Sequence, residues 1–332
     1  MRYRTFGRMG WKVSEIGFGA WAIAGDAWGK VDDAESVATL HEALDSGVNF
    51  VDTAQAYGDG HSEELIGRVL AERGTKDRVH VATKIPPAGK LWWTDPDFDD
   101  IEQFYPSGYL RERVELSLRR LGTEAVDLIQ LHTWTRGFNK YDEWQETLEK
   151  LREEGKLLAF GISASEKRPE DVIPLVEAGR IDSVQVIYNL FEQRTAESVV
   201  EPCGKNNVAT IIRVPLDEGS LTGKFTGKTR FGKGDFRRHF FRGNNLKATV
   251  KRVEEIRRFK DKRYPEMTMV ELALLFCLSH PETSTVIVGI KNKEQLRANL
   301  KVTAHDIFTP EQLEELKQFE WKREFWSEEV EE

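Results

Sequence analysis

The segment NFVDTAQAYGDGHSEELIG (residues 49–67) contains a short apolar strand, a polar loop and the start of a helix. Phe50 and Val51 lead the strand, which ends at Asp52, and the helix begins near Ser62 with two glutamates directly after it. A serine at a helix start and acidic residues in the first turn are usual signals of a helix N-terminus. The segment therefore predicts one strand–loop–helix unit.

The same unit recurs along the chain. Short apolar strands that alternate with helical patterns are predicted at a segment ending near Gly19 and at 49–52, 79–84, 126–132, 158–163, 183–189, 209–215 and 285–289. Continuous apolar strands between helices are typical of a parallel sheet that is covered on both faces. Eight such units in 332 residues predict an α/β fold of the (β/α)₈ TIM-barrel type, with its functional loops at the C-terminal ends of the strands.

The rest of the chain fits one barrel domain over residues 1–332. An N-terminal β-hairpin is predicted before the first barrel strand, a polar insertion covers 217–245, and an acidic tail covers about 327–332. The alternative fold is a doubly wound open sheet, which would show G-x-G-x-x-G after its first strand. Here that position reads GFGAWA (17–22), which lacks the third glycine.

Composition excludes several kinds of protein. The net charge of −8 argues against a nucleic-acid partner. The longest apolar run, LALLFCL (272–278), is too short to span a membrane. Two widely separated cysteines, Cys203 and Cys277, form no disulfide framework and predict a reducing, cytoplasmic setting. The seven histidines have no ligand spacing, so we expect no metal.

Ionisable residues close three successive predicted strands. These residues are Asp52, Lys84 and His132, and Tyr57 lies in the loop just beyond Asp52. A single polar residue at a strand end is most often the point where solvent begins. In a barrel, however, these strand ends meet on one rim, where active sites are built. The joint placement therefore predicts a site.

At these residues the chain resembles an aldo-keto reductase, over nearly its whole length. The resemblance rests on FVDTAQAYGDGHSEELIG (50–67), VATK (81–84), DLIQLH (127–132), GIS (161–163), PLDEGSLTGK (215–224) and VGIKNKEQLRANL (288–300). It implies a barrel that binds a nicotinamide cofactor without a Rossmann motif, and a catalytic tetrad of Asp52, Tyr57, Lys84 and His132.

The chemistry of these four side chains is compatible with carbonyl reduction, which needs a hydride from a cofactor and a proton from a nearby acid. Tyr57 would be that acid, since a neighbouring lysine ammonium stabilises its ionised form. Asp52 would hold Lys84 in place and keep it charged, and His132 would orient the carbonyl or relay a proton. The expected substrate is therefore a small carbonyl compound or the corresponding alcohol.

The resemblance also implies a cofactor site for NADP(H), with NAD(H) left open. Lys291 and Lys293 would read a 2′-phosphate at a helix N-terminus, and the loop after strand seven suits a phosphate cradle. Three positions depart from the family pattern: Ala164, Arg213 and Ala298. The expected cofactor-binding residues are Ala20, Trp21, Ser163, Gln185, Arg213, Leu216, Gly219, Leu221, Gly223, Lys224, Gly289, Lys291, Gln295 and Asn299.

Arg213 stands where similar proteins often have an aromatic residue stacked on the nicotinamide ring. Its planar guanidinium could also stack on a ring, contact a phosphate or bind an acidic substrate. An ion pair with Asp217 or Glu218 is an equal alternative.

The substrate pocket is predicted from aromatic residues in the rim loops, which would suit an apolar or sugar-like carbonyl compound. Its expected residues are Trp21, Trp28, Trp92, Trp93 and His61. The alternative function is a regulatory, nicotinamide-binding subunit with little turnover, as in potassium-channel β-subunits. The sequence leaves the natural substrate, the direction of reaction and the oligomeric state open.

Overall fold

The computed structural model describes residues 1–25, 27–29, 31–74, 78–90, 92, 100–323 and 325. Eight parallel strands close into a barrel, in which each strand pairs with the next along the chain and the last pairs with the first. The strands are β3 (Ile16–Gly19), β4 (Phe50–Asp52), β5 (His80–Ile85), β6 (Val126–Leu131), β7 (Leu157–Ser163), β8 (Ser183–Ile187), β9 (Ala209–Arg213) and β10 (Thr285–Gly289). The predicted (β/α)₈ fold is confirmed, and the open-sheet alternative is wrong.

An antiparallel hairpin closes the N-terminal end of the barrel. Its strands are β1 (Tyr3–Phe6) and β2 (Trp11–Ser14). Phe6 packs against Phe50 with ring centroids 5.5 Å apart, among small apolar side chains that fill the barrel interior. The only open end of the described barrel is therefore the C-terminal rim, which is the end where the predicted site residues lie.

Helices cover the barrel from outside. The helices are α1 (Asp33–Asp45), α2 (His61–Arg73), α3 (Ser107–Leu121), α4 (Glu143–Glu153), α5 (Ile173–Glu177), α6 (Glu201–Lys205), α7 (Arg237–Phe240), α8 (Asn245–Arg263), α9 (Met269–Ser279), α10 (Lys293–Leu300) and α11 (Pro310–Leu316). Helix α2 begins at His61, next to its predicted start near Ser62, and α7 lies inside the predicted insertion at 217–245. No described helix is both long enough and apolar enough to cross a membrane.

Helices α2 and α3 approach closely at Gly67, which gives a stability prediction. A Cβ at Gly67 would lie 2.5 Å from the carbonyl oxygen of Arg120. Gly67→Ala is therefore expected to lower the free energy of unfolding by about 1–3 kcal/mol, because backbone atoms would have to move. A Cβ at Gly108, in α3 of the same helix pair, would have no other atom within 4 Å. Gly108→Ala is therefore expected to stabilise the protein by about 0.5–1 kcal/mol. Urea unfolding of both variants measures the difference, and equal effects would contradict the close approach.

Candidate active site

Lys84 lies at the centre of the barrel rim and joins two of the other predicted residues. Its Nζ donates to Asp52 Oδ1 at 2.5 Å, to the carbonyl oxygen of Thr53 at 2.8 Å and to Tyr57 Oη at 3.2 Å. The side chains of Lys84 and Asp52 are 0% and 2% exposed. Neighbouring parallel strands β4 and β5 bring the two charges together, and their pairing compensates the cost of burying each.

Glutamine side chains satisfy the second oxygen of the Asp52 carboxylate. Gln185 Nε2 donates to Asp52 Oδ2 at 2.7 Å, and Gln130 Nε2 donates to the same atom at 3.3 Å. The sequence analysis expected Gln185 to hold the cofactor. The structure places it on the cavity wall, with its amide nitrogen donating to Asp52. Gln130 was not predicted at all.

Tyr57 is held over the barrel mouth by a tight turn. Gly58, Asp59 and Gly60 all have positive φ, and Arg120 Nη2 donates to the carbonyl oxygen of Asp59 at 2.8 Å. Arg120 also pairs with the fully buried Glu63 at 3.4 Å. Sequence reasoning missed Arg120, because it belongs to α3 and nothing in its local pattern marks a long-range partner.

The electrostatics of the site are dominated by burial. Burial raises the pKa of Tyr57, and the nearby charge of Lys84 lowers it without reversing the direction. Burial alone would lower the pKa of Lys84, but Asp52 and Tyr57 outweigh it and raise that pKa. Burial, followed by the charges of Lys84 and Arg213, holds the pKa of His132 well below its usual value. At neutral pH the site therefore holds a protonated tyrosine, a charged lysine and a neutral histidine.

Aromatic rings form one wall of the cavity. Trp21 stacks on Tyr57 with centroids 5.6 Å apart, and Phe236 also stacks on Trp21 at 5.0 Å. Trp28 meets Trp21 edge-on at 5.5 Å, and Trp92 meets the His132 ring edge-on at 5.1 Å. Three of the expected substrate-side tryptophans thus gather near Tyr57.

Two of the expected substrate residues do not join this wall. His61 Nε2 lies 2.9 Å from Asp33 Oδ1, is 37% exposed and does not line the cavity. The prediction of His61 as a pocket residue therefore finds no support in its position. Trp93 lies outside the described residues. Phe236 was missed, because it comes from the irregular insertion after β9, whose path no sequence pattern fixes.

The cavity has a volume of about 1090 Å³ and runs from Tyr57 and His132 toward the N-terminus of α10. Most of the expected cofactor residues line it: Trp21, Ser163, Gln185, Arg213, Leu216, Gly219, Lys224, Gly289, Lys291, Gln295 and Asn299. Ala20, Leu221 and Gly223 do not line it. Ala20 and Leu221 are buried beneath the wall, where Gly19 takes the lining position in place of Ala20.

The two lysines near α10 point in different directions. Lys291 lines the cavity and its Nζ donates to the carbonyl oxygen of Trp28. Lys293 lies outside the cavity, is 45% exposed and pairs with Glu42 at 3.7 Å. Of these two lysines, it is therefore Lys291 that is placed to meet a ligand phosphate.

Arg213 forms no ion pair with Asp217 or Glu218, which was one of the alternatives that the sequence left open. Its Nη1 lies 3.2 Å from Glu166 Oε1, and its Nη2 donates to the carbonyl oxygen of Ala164 at 3.3 Å. Asp217 pairs instead with Arg323 near the C-terminus. Among the described residues, no group of three or more His, Cys, Asp or Glu side chains is arranged to hold a metal ion.

The sequence profile described as "Aldo/keto reductase family" matches residues 15–320. The chain belongs to the aldo/keto reductase family. It is therefore an oxidoreductase of a family that binds nicotinamide cofactors and acts on small molecules.

Three relatives illustrate the similarity. Aldo-keto reductase YhdN of Bacillus subtilis is 32% identical, with 94% of this chain and 92% of the relative covered. The solved glycerol dehydrogenase AKR11B4 from Gluconobacter oxydans has a TM-score of 0.77 and 29% identity, with 96% and 94% covered. A probable voltage-gated potassium channel subunit beta of Arabidopsis thaliana is 27% identical, with 96% of each chain covered. The family thus includes proteins named as enzymes and proteins named as channel subunits.

Proposed function

We propose that this chain is an NADP(H)-dependent aldo-keto reductase that reduces aldehydes or ketones, or oxidises the alcohols, with Tyr57 as general acid and base. The observation that carries the proposal is the hydrogen bond from the buried Lys84 ammonium to Tyr57 Oη, next to His132. The cavity residues also fit a dinucleotide. Polar side chains lie near Tyr57, and the cations Lys224, Arg237 and Lys291 line the same cavity.

The proposed mechanism assigns one task to each of the four side chains. The bound cofactor supplies or accepts the hydride. Tyr57 gives its proton to the carbonyl oxygen, and Lys84 stabilises the phenolate that this transfer leaves. Asp52 keeps Lys84 charged and in position, while neutral His132 donates a hydrogen bond that orients the carbonyl. In alcohol oxidation the same groups act in reverse, so Tyr57 must first lose its proton.

The direct test combines cofactor binding with a carbonyl panel. Purified protein is titrated with NADPH and NADH by fluorescence, and loss of reduced cofactor is then followed with aldehydes, ketones and sugar-like carbonyl compounds. We expect saturable binding and turnover that depends on the carbonyl compound.

The rival function is a regulatory subunit like the channel β-subunit named above. Saturable binding with no turnover on any carbonyl would favour that rival.

Two matched variants test whether Lys291 gives the site a preference for the cofactor that carries a 2′-phosphate. Lys291→Gln is expected to raise the Kd for NADPH about tenfold or more, because a charge-assisted hydrogen bond to phosphate is lost. The Kd for NADH should change by less than about twofold. Lys293→Gln removes a lysine two positions away that pairs with Glu42 instead, and it should leave both constants unchanged. Equal losses in the two variants, or equal losses for both cofactors, would contradict the assignment to Lys291.

A further inference from the structure

A charged cluster lies on the cavity wall outside the tetrad. It comprises Arg213 at the end of β9, Glu166 in the loop after β7, and Glu218 in the turn at 217–222. Arg213 and Glu166 form an ion pair at 3.2 Å, and 18% and 29% of their side chains are exposed. Since Glu166 is the more exposed partner, solvent screens its charge more than that of Arg213. Arg213 is therefore the less screened charge of the pair.

The charge of Arg213 reaches the reacting groups. Burial is the largest cause for both groups, raising the pKa of Tyr57 and lowering that of His132, and the charge of Arg213 acts in the lowering direction on each. A ring that exchanges a hydride with a carbonyl held by Tyr57 and His132 has to lie in this cavity, within the same field. The oxidised nicotinamide ring is a cation and the reduced ring is neutral. A fixed cation in the wall therefore disfavours the oxidised form alone.

The backbone holds this cluster in an unusual conformation. Val214, Asp217 and Glu218 have φ values of 56°, 48° and 53°. Positive φ is rare for a β-branched residue such as valine and costs roughly 1–3 kcal/mol. Asn189 Nδ2 supports the turn by donating to the carbonyl oxygen of Val214 at 2.9 Å. Strain of this kind is typical of functional sites, where the surrounding structure fixes the direction of particular side chains.

Glu218 adds a titratable charge beside Arg213. Burial is the largest cause that raises its pKa, to about 8; Glu166 and Asp217 also act to raise it, and Arg213 and Arg237 act to lower it. Glu218 is therefore mostly neutral near pH 7 and carries a negative charge above its pKa. The raised pKa values of Tyr57 and Lys84 lie above that of Glu218, and the lowered pKa of His132 lies below it.

We propose that Arg213, balanced by Glu166 and Glu218, sets the preference of this site for the reduced over the oxidised nicotinamide cofactor. The inference rests on the proposed function, since it requires a nicotinamide ring in the cavity. Arg213 here is a specificity-determining residue and not a proton carrier. Ionisation of Glu218 weakens the preference, because it offsets the field of the guanidinium.

The test measures equilibrium binding and needs no turnover. Kd values for NADPH and NADP⁺ are obtained by fluorescence titration between about pH 7 and 9, a range that brackets the Glu218 pKa. We expect the wild-type ratio Kd(NADP⁺)/Kd(NADPH) to be well above one near pH 7 and to fall as the pH passes 8. Arg213→Gln should lower that ratio about three- to tenfold, mainly because NADP⁺ then binds more tightly. Arg213→Lys keeps the positive charge and should have most of the wild-type ratio.

Two further variants complete the design. Glu218→Gln should remove the pH dependence of the ratio, and this result tests the proposal even if Arg213→Gln fails to fold. Arg168→Gln is the matched control, because Arg168 lines the same cavity but pairs with Asp171 at 3.3 Å. The ratio Kd(NADP⁺)/Kd(NADPH) of this variant should stay at the wild-type value. A ratio unchanged in Arg213→Gln, or a pH dependence that survives in Glu218→Gln, overturns the inference. Absence of binding by the wild type to either form would instead overturn the proposed function.

Discussion

Tyr57→Phe is expected to lower kcat about 10²- to 10⁴-fold, which is the contribution of a positioned general acid. The change removes only the hydroxyl that accepts the hydrogen bond from Lys84 at 3.2 Å. The ring still stacks on Trp21, so the wall of the cavity is preserved. The Kd for NADPH should therefore change by less than about threefold. Single-turnover measurement of hydride transfer, together with cofactor titration, separates these two effects.

A control variant distinguishes the loss of this hydroxyl from a general effect of tyrosine substitution. Tyr109 donates its hydroxyl hydrogen to the carbonyl oxygen of Pro86 at 2.9 Å and does not line the cavity. Tyr109→Phe should leave kcat within about twofold of the wild type, because no reacting group is touched. If Tyr57→Phe retains turnover within tenfold of the wild type, Tyr57 is not the proton donor.

The barrel and the meeting of the four tetrad residues could be predicted from sequence for the same physical reason. Side chains at the ends of neighbouring parallel strands are brought together by the closure of the sheet, whatever the loops do. Asp52, Lys84 and His132 occupy such ends, and Tyr57 is only five residues from Asp52. Their proximity therefore depends on the regular part of the fold, which the alternation of strands and helices already specifies.

Residues in irregular segments were not predictable in this way. Phe236 reaches Trp21 through a long insertion. The ion-pair alternative for Arg213 named only its sequence neighbours and not Glu166, which follows β7. Lys291 and Lys293 share a motif and a charge, but the start of α10 turns one into the cavity and the other toward Glu42. Sequence shows which residue types are available, whereas contacts between loops of distant origin depend on the folded path of each loop.

The sign of the tyrosine shift shows a similar limit. The residue types alone suggested that Lys84 would make Tyr57 a stronger acid. The structure buries both groups, and the cost of burying a phenolate exceeds the benefit of the neighbouring ammonium, so the pKa of Tyr57 is raised. The balance between burial and charge is a property of the packed site and cannot be obtained from the pair of residues by itself.

Lys84→Met is expected to lower the free energy of unfolding by about 3–5 kcal/mol, in addition to abolishing turnover. The substitution leaves the Asp52 carboxylate, which is 2% exposed, with only Gln130 and Gln185 as donors among the described side chains. A buried carboxylate without its cation is strongly destabilising. Urea unfolding followed by tryptophan fluorescence measures the loss.

The double variant Asp52→Asn with Lys84→Met tests whether the unpaired carboxylate of Asp52 causes the loss of stability. It removes both charges, so a large part of the lost stability should return, whereas turnover should stay absent because nothing then stabilises the Tyr57 phenolate. The exposed pair Arg111–Glu154, at 2.7 Å with 39% and 40% exposure, supplies the control, and Arg111→Met should cost less than about 1 kcal/mol. If the double variant is as unstable as the sum of its single changes, the buried charge is not the source of the instability. If it recovers turnover, Lys84 has no electrostatic role in the reaction.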